Sequence, residues 1–236
     1  MNRTARRAAQ AQARRKTIDR ITAVHEAGHA VARLLAAEDM GYLFEMGVDS
    51  IQIGTGPSWR SADGRIVLNS AAICYGPAVS KVLAVAYTQA YPGSGSISAD
   101  EFNARLLTLG TAEQRAISGQ AKMIVTAMGA AAEARLTGAT WEEVFLSDPC
   151  IGDRTDFRRD ARLAGFGDDD LAVAVARVRS TVIKLIAVPE VWSAIGAVAS
   201  AMKGDLSGRQ VALLAAPHIR GMRLSNVAVS AHPRRQ

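Results

Sequence analysis

Apolar side chains at Ile18, Ile21, Val24, Val31, Leu34 and Leu35 recur at helical spacing, which predicts an amphipathic helix over 17–37, stopped by Gly41. The pattern then changes period. Residues 48–53 and 65–68 are rich in β-branched and apolar side chains and are set apart by the turn signals Gly54-Thr55-Gly56-Pro57 and Asp63-Gly64, so a small sheet or hairpin is expected there. Beyond Ser70 the chain becomes Ala-rich and reads as helical almost to its end, with a break at Tyr91-Pro92-Gly93-Ser94-Gly95. Ser98 with Glu101, Thr111 with Gln114 and Thr140 with Glu143 have the spacing of capping boxes and mark three helix starts. Further helices are expected over 155–164, 170–187, 189–203 and 207–215. The predicted fold class is mainly α with a small β-sheet.

Composition fits one folded unit. Of 236 residues 49% are hydrophobic, which excludes a wholly disordered chain, and two cysteines, Cys74 and Cys150, are too few for a disulfide framework. No apolar stretch reaches the roughly twenty uncharged residues of a membrane-spanning helix, and the expected setting is cytoplasmic. The net charge of +6 is unevenly placed. Arg3, Arg6, Arg7, Arg14, Arg15, Lys16 and Arg20 face only Asp19 within the first twenty residues, so the rest of the chain is neutral. This divides the molecule into a basic arm over 1–16, a folded body over 17–216 and a loose tail over 217–236. The arm reads first as a solvated extension, and a nucleic-acid contact through residues 1–20 is the lesser reading.

The chemistry concentrates in the first predicted helix, where His25-Glu26-Ala27-Gly28-His29 forms an HExxH sequence holding two of the four histidines. Residues four apart stand one turn above each other, so both imidazoles leave the same face and can bind one Zn2+ ion. Glu26, rotated by about 100°, falls beside the metal, where it can act as general base toward a water held there. Gly28 between the histidines predicts close packing against another helix. A catalytic zinc site needs a third protein ligand. The extended motif that would supply a third histidine is missing, since Leu35 occupies that position. Two carboxylates remain as candidates, Glu133 and Asp156. Cys150 reads as a buried thiol, and Asp168-Asp169-Asp170 as an acidic helix start.

Three segments together resemble the peptidase domain of the FtsH family of zinc proteases: His25–His29 continuing into Ala30, the stretch Gly129-Ala130-Ala131-Ala132-Glu133-Ala134, and Gly152-Asp153-Arg154-Thr155-Asp156. The family writes these elements as HEAGHA, approximately GGRAAEE and approximately GASNDL. By position, the resemblance implies His25, His29 and Asp156 as zinc ligands, Glu26 as base and Glu133 as a neighbour that orients a ligand histidine. Gly204–Val211 is similar to the family's closing helical region, so the likeness runs over about 17–216. No P-loop is present and only sixteen residues precede Thr17, which implies a peptidase unit without the family's ATPase module or membrane helices.

The reading is therefore of a zinc-dependent endopeptidase that hydrolyses flexible or unfolded polypeptide segments, bound as an added strand on the small sheet. A homo-oligomer, and an ATPase acting in trans, are partners compatible with it. The alternative is a catalytically silent or single-substrate regulatory protein that binds a protein partner or DNA through its basic arm.

Overall fold

The computed structural model describes residues 18–54, 58–60, 66–68, 71–92 and 97–229. The basic arm over 1–16, the Asp63-Gly64 turn and the last seven residues lie outside them. The molecule is mainly helical around a three-stranded antiparallel sheet. Helix α1 (Arg20–Ala37) begins where Asp19 accepts a hydrogen bond from the Thr22 N–H at 2.9 Å, and ends before Gly41, whose φ of 82° suits glycine. Its Ala30, Val31, Ala32 and Leu35 are wholly buried, so this helix is the axis of the core.

Strand β1 (Ser50–Ile53) lies at the middle of the sheet, and β2 (Ser58–Arg60) with β3 (Ile66–Leu68) forms a separate antiparallel hairpin. Strand β4 (Ala72–Tyr75) pairs with β1 in the register Ile51 to Cys74. This corrects the helical reading beyond Ser70. The run Ala72-Ile73-Cys74-Tyr75 alternates buried and half-buried positions, and pairing along β1 outweighs the weak strand preference of its alanine. Helices α2 (Lys81–Ala90) and α3 (Ala99–Leu106) follow, the second capped by Ser98, whose hydroxyl accepts from the Glu101 N–H at 3.1 Å while Glu101 itself turns to Arg105.

Helix α4 (Ala112–Thr137) opens in a full Thr111/Gln114 capping box, closes at Gly138 with φ 77°, and packs lengthwise on α1. The close approach uses small residues. A Cβ on Gly28 would stand 2.7 Å from the Met128 carbonyl oxygen and 2.9 Å from Ala132 Cβ, so the glycine inside the motif answers to packing. Short helix α5 (Trp141–Phe145) has the Thr140/Glu143 capping box, and Trp141 Nε1 donates to the Ala127 carbonyl at 3.2 Å while its ring stacks on Phe145. Phe145 meets Phe157, in the middle of α6 (Ile151–Leu163), edge to face, and α6 also packs on α4.

Helices α7 (Leu171–Ala187) and α8 (Pro189–Ala201) lead to strand β5 (Leu206–Ser207), which joins the other side of β1. Helix α9 (Gly208–Ile219) and α10 (Leu224–Val229) complete the described chain. The segment from 217 is thus folded through Val229, contrary to the loose tail expected of it. Leu224 is buried, Ser225 binds Asp39 through its N–H at 2.8 Å and its hydroxyl at 2.7 Å, and Arg220 pairs with Glu45. No helix among the described residues is long and apolar enough to cross a membrane.

Candidate metal centre

Helix periodicity brings His25 and His29 to one side of α1, with ring centroids 4.8 Å apart and nearly perpendicular planes. Each imidazole is held at Nδ1. His29 Nδ1 lies 2.8 Å from the Val125 carbonyl oxygen, and since a carbonyl only accepts, Nδ1 carries the proton. His25 Nδ1 lies 2.9 Å from Glu133 Oε2 and donates to that carboxylate. Glu133 therefore sits behind a histidine, on the side away from the cavity. Both contacts come from α4, and both leave Nε2 pointing into the same space.

That space exists because residue 129 lacks a side chain. A Cβ on Gly129 would lie 2.5 Å from His29 Nε2 and 2.6 Å from His25 Nε2, so anything larger than glycine would fill the cradle between the two ring nitrogens.

A carboxylate closes the cradle, and it is that of Asp153. Its Oδ2 lies 3.1 Å from His25 Nε2 and its Oδ1 lies 3.6 Å from His29 Nε2. Asp156, matched by position to the family's third ligand, lines the same cavity, but its side chain is 54% exposed and pairs with Arg159. Asp153 thus replaces Asp156 in the geometric ligand set. The reason is the phase of α6. Asp153, Phe157, Asp160 and Ala161 follow the i, i+4, i+7, i+8 stripe, with Phe157, Asp160 and Ala161 buried, and Asp156 falls to its exposed side. Asp153 also stands in the first turn of α6, where the helix dipole favours a negative charge.

The electrostatics follow from this enclosure. Burial opposes a charge on His25, but the hydrogen bonds that Asp153 and Glu133 accept from it outweigh the burial and hold the imidazole well above its usual pKa. Burial would raise Asp153, yet the charges and hydrogen bonds of His29 and His25 win and hold it well below the usual carboxylate range. Glu26 is 8% exposed and lines the cavity beside the cradle. Burial raises its carboxyl above the ordinary value against the lowering effect of His29 and His25, and the Cys74 N–H of β4 donates to it.

Two ring nitrogens with fixed tautomers, a carboxylate and a space kept clear by glycine form a donor set of the kind that divalent zinc accepts. Cys150 stands next to it: ligand atoms of His25, Cys150 and Asp153 lie within 4.8 Å of one another. Burial raises the Cys150 thiol above its usual pKa, with His25 opposing, so it enters the site as a neutral neighbour. The cavity over the cradle, about 710 Å3, is walled by Ile73 and Cys74 of β4, and Arg33 of α1 also lines it. Asp153 and Arg33 are the residues that the reading of the sequence passed over. A signal for the first was available in the helical stripe that runs from Asp153 through Phe157 to Ala161. For Arg33 the only signal was its place four residues after His29.

Comparison with protein-family models, with curated proteins and with solved structures gives no match to this chain.

Proposed function

We propose that the protein is a metal-dependent endopeptidase, with His25, His29 and Asp153 holding Zn2+, Glu26 as general base and Glu133 orienting His25. The observation that carries this reading is the convergence of both Nε2 atoms and the Asp153 carboxylate on the gap over Gly129. The resemblance of three segments to the FtsH peptidase domain supports the same assignment, with the third ligand moved from Asp156 to Asp153.

A bound zinc ion would supply Lewis acidity toward water and toward the scissile carbonyl. The protein's own groups do the rest. Val125 and Glu133 hold the two imidazoles in the tautomers that present Nε2. Glu26, buried and raised in pKa, is suited to take a proton from the attacking water and return it to the departing amine. Strand β4 lines the cavity and stands at an edge of the sheet, a place where an extended segment can add as a further strand, and this supports flexible polypeptide over folded domains as substrate.

The test is cleavage of unstructured quenched-fluorescence peptides by zinc-loaded protein, alongside Glu26→Gln. Wild type should cleave, and the variant should bind the same amount of zinc yet lose at least a hundredfold in kcat/KM. Equal cleavage by both, or none by zinc-loaded wild type, would overturn the reading.

A further inference from the structure

Arg33 stands four residues after His29 on α1 and lines the same cavity. Its side chain crosses the backbone at Gly76, where a Cβ would meet Nη1 at 3.0 Å and Cδ at 3.1 Å. Glycine at 76 thereby makes room for the guanidinium. Little holds its charge in return. Nη1 makes one long hydrogen bond, 3.4 Å, to the Pro77 carbonyl, and Nε is buried with no partner. No ion pair joins Arg33 to a carboxylate among the described residues. Glu133 and Asp153 are engaged by the histidines, and Asp156 by Arg159. The neighbouring Cys74 thiol shares a hydrogen bond with Arg33 but gives no counter-charge, because burial pushes it up to about 12 despite Arg33.

A half-buried guanidinium that lines a cleft with no carboxylate partner among the described residues is an unusual thing to leave there, since buried charge is costly until it is paired. Its planar fork matches a carboxylate, which it can bind through two parallel hydrogen bonds. Four residues of helix span about 6 Å, and an extended peptide advances about 3.3 Å per residue. The Arg33 backbone position therefore stands about two peptide residues along α1 from that of His29.

We propose that Arg33 is a carboxylate-recognition site in this cleft, selecting peptides that carry a carboxylate about two residues from the bond presented to the metal cradle. The carboxylate comes from an acidic side chain or from the peptide's own C-terminus. This assignment rests on the peptidase reading for its purpose, but its binding can be measured without turnover.

The experiment uses zinc-loaded Glu26→Gln protein and fluorescence anisotropy with matched peptides. One pair differs by Glu against Gln at that position, and a second differs by a free against an amidated C-terminus. A carboxylate held by Arg33 should tighten binding about tenfold or more. The preference should vanish in Glu26→Gln/Arg33→Ala and in Glu26→Gln/Arg33→Gln, and partly survive in Glu26→Gln/Arg33→Lys, all with unchanged thermal midpoints and zinc content. The Glu pair responding alone assigns a side-chain subsite, and the terminal pair responding alone assigns C-terminal recognition. Equal binding within both pairs overturns the proposal, as does a preference that persists without Arg33. Absence of cleavage by wild type, with the carboxylate preference intact, would instead remove the peptidase reading and leave the binding site standing.

Discussion

At Asp153 and Asp156 two carboxylates three residues apart meet different fates, and the difference is one of helical phase. Asp153 faces the ring nitrogens while Asp156 faces solvent and Arg159. Asp153→Asn should abolish stoichiometric zinc binding, whereas Asp156→Asn should keep it, measured as metal content after gel filtration. Glu133→Gln should weaken zinc about 10- to 100-fold, the usual effect of losing a group that orients a ligand histidine. Gly129→Ala makes a sharper test, because it adds one carbon where both Nε2 atoms need space. Its expected outcome is loss of zinc with the helical circular dichroism of the wild type retained. Zinc binding equal to wild type would mean that the histidines do not use this gap.

Elements show how far the amino-acid pattern could be read. Helix α1 was legible in its body and at its end because its apolar spacing and Gly41 agree, while its start was read three residues early, at 17, because the cap on Asp19 was not read. The long α4 was legible from its capping box and its small-residue run. Strand β4 was not, since four residues in an Ala-rich stretch carry too little periodicity to compete with helical neighbours, and only β1 makes them a strand. The carboxylate matched by motif position, Asp156, is not the one facing the ring nitrogens for a related reason: matching motif positions fixes distance along the chain, whereas burial of Phe157 fixes which side of α6 faces in.

Where α4 meets α6 there is also a buried charge. Asp160 is 1% exposed, and Lys122 Nζ approaches Oδ1 to 3.0 Å, but out of line for a good hydrogen bond, so both carboxylate oxygens lack a well-aligned donor. Burial raises its pKa against the opposing pull of Lys122. Because the folded state then binds the proton more tightly than the unfolded one, stability falls as pH rises from the ordinary 3.8 through the raised value, and the loss persists above it. Asp160→Asn should remove this contribution. The variant's urea midpoint relative to wild type should shift in the variant's favour between pH 4 and pH 7, and a constant difference would show that Asp160 does not titrate there.

Across the whole molecule, the cradle is a junction of three helices: the histidines stand on α1, Asp153 on α6, and their orienting groups, Val125 and Glu133, on α4. An ion held there ties these elements together and stabilises only the folded state. At free zinc a hundredfold above Kd the gain is about 2.7 kcal/mol, which corresponds to a rise in Tm of about 5–10 °C for a chain of this size. Calorimetry with zinc and then with a chelator should show the rise and its reversal.

The sheet beside this junction is completed late. Strand β5 is made of Leu206 and Ser207, and the Gly208 N–H reaches back to the Asp49 carbonyl at 2.8 Å, with Val48 so close that a Cβ would stand 1.8 Å from its oxygen. During synthesis the histidines emerge about 180 residues before this strand. Until the ribosome has passed Gly208, the polypeptide has the histidines of the cradle but lacks the strand that closes the other side of β1. The side of β1 away from the cavity wall β4 is therefore paired only after the intervening helices α2 to α8 have been made, so the sheet gains its third strand last.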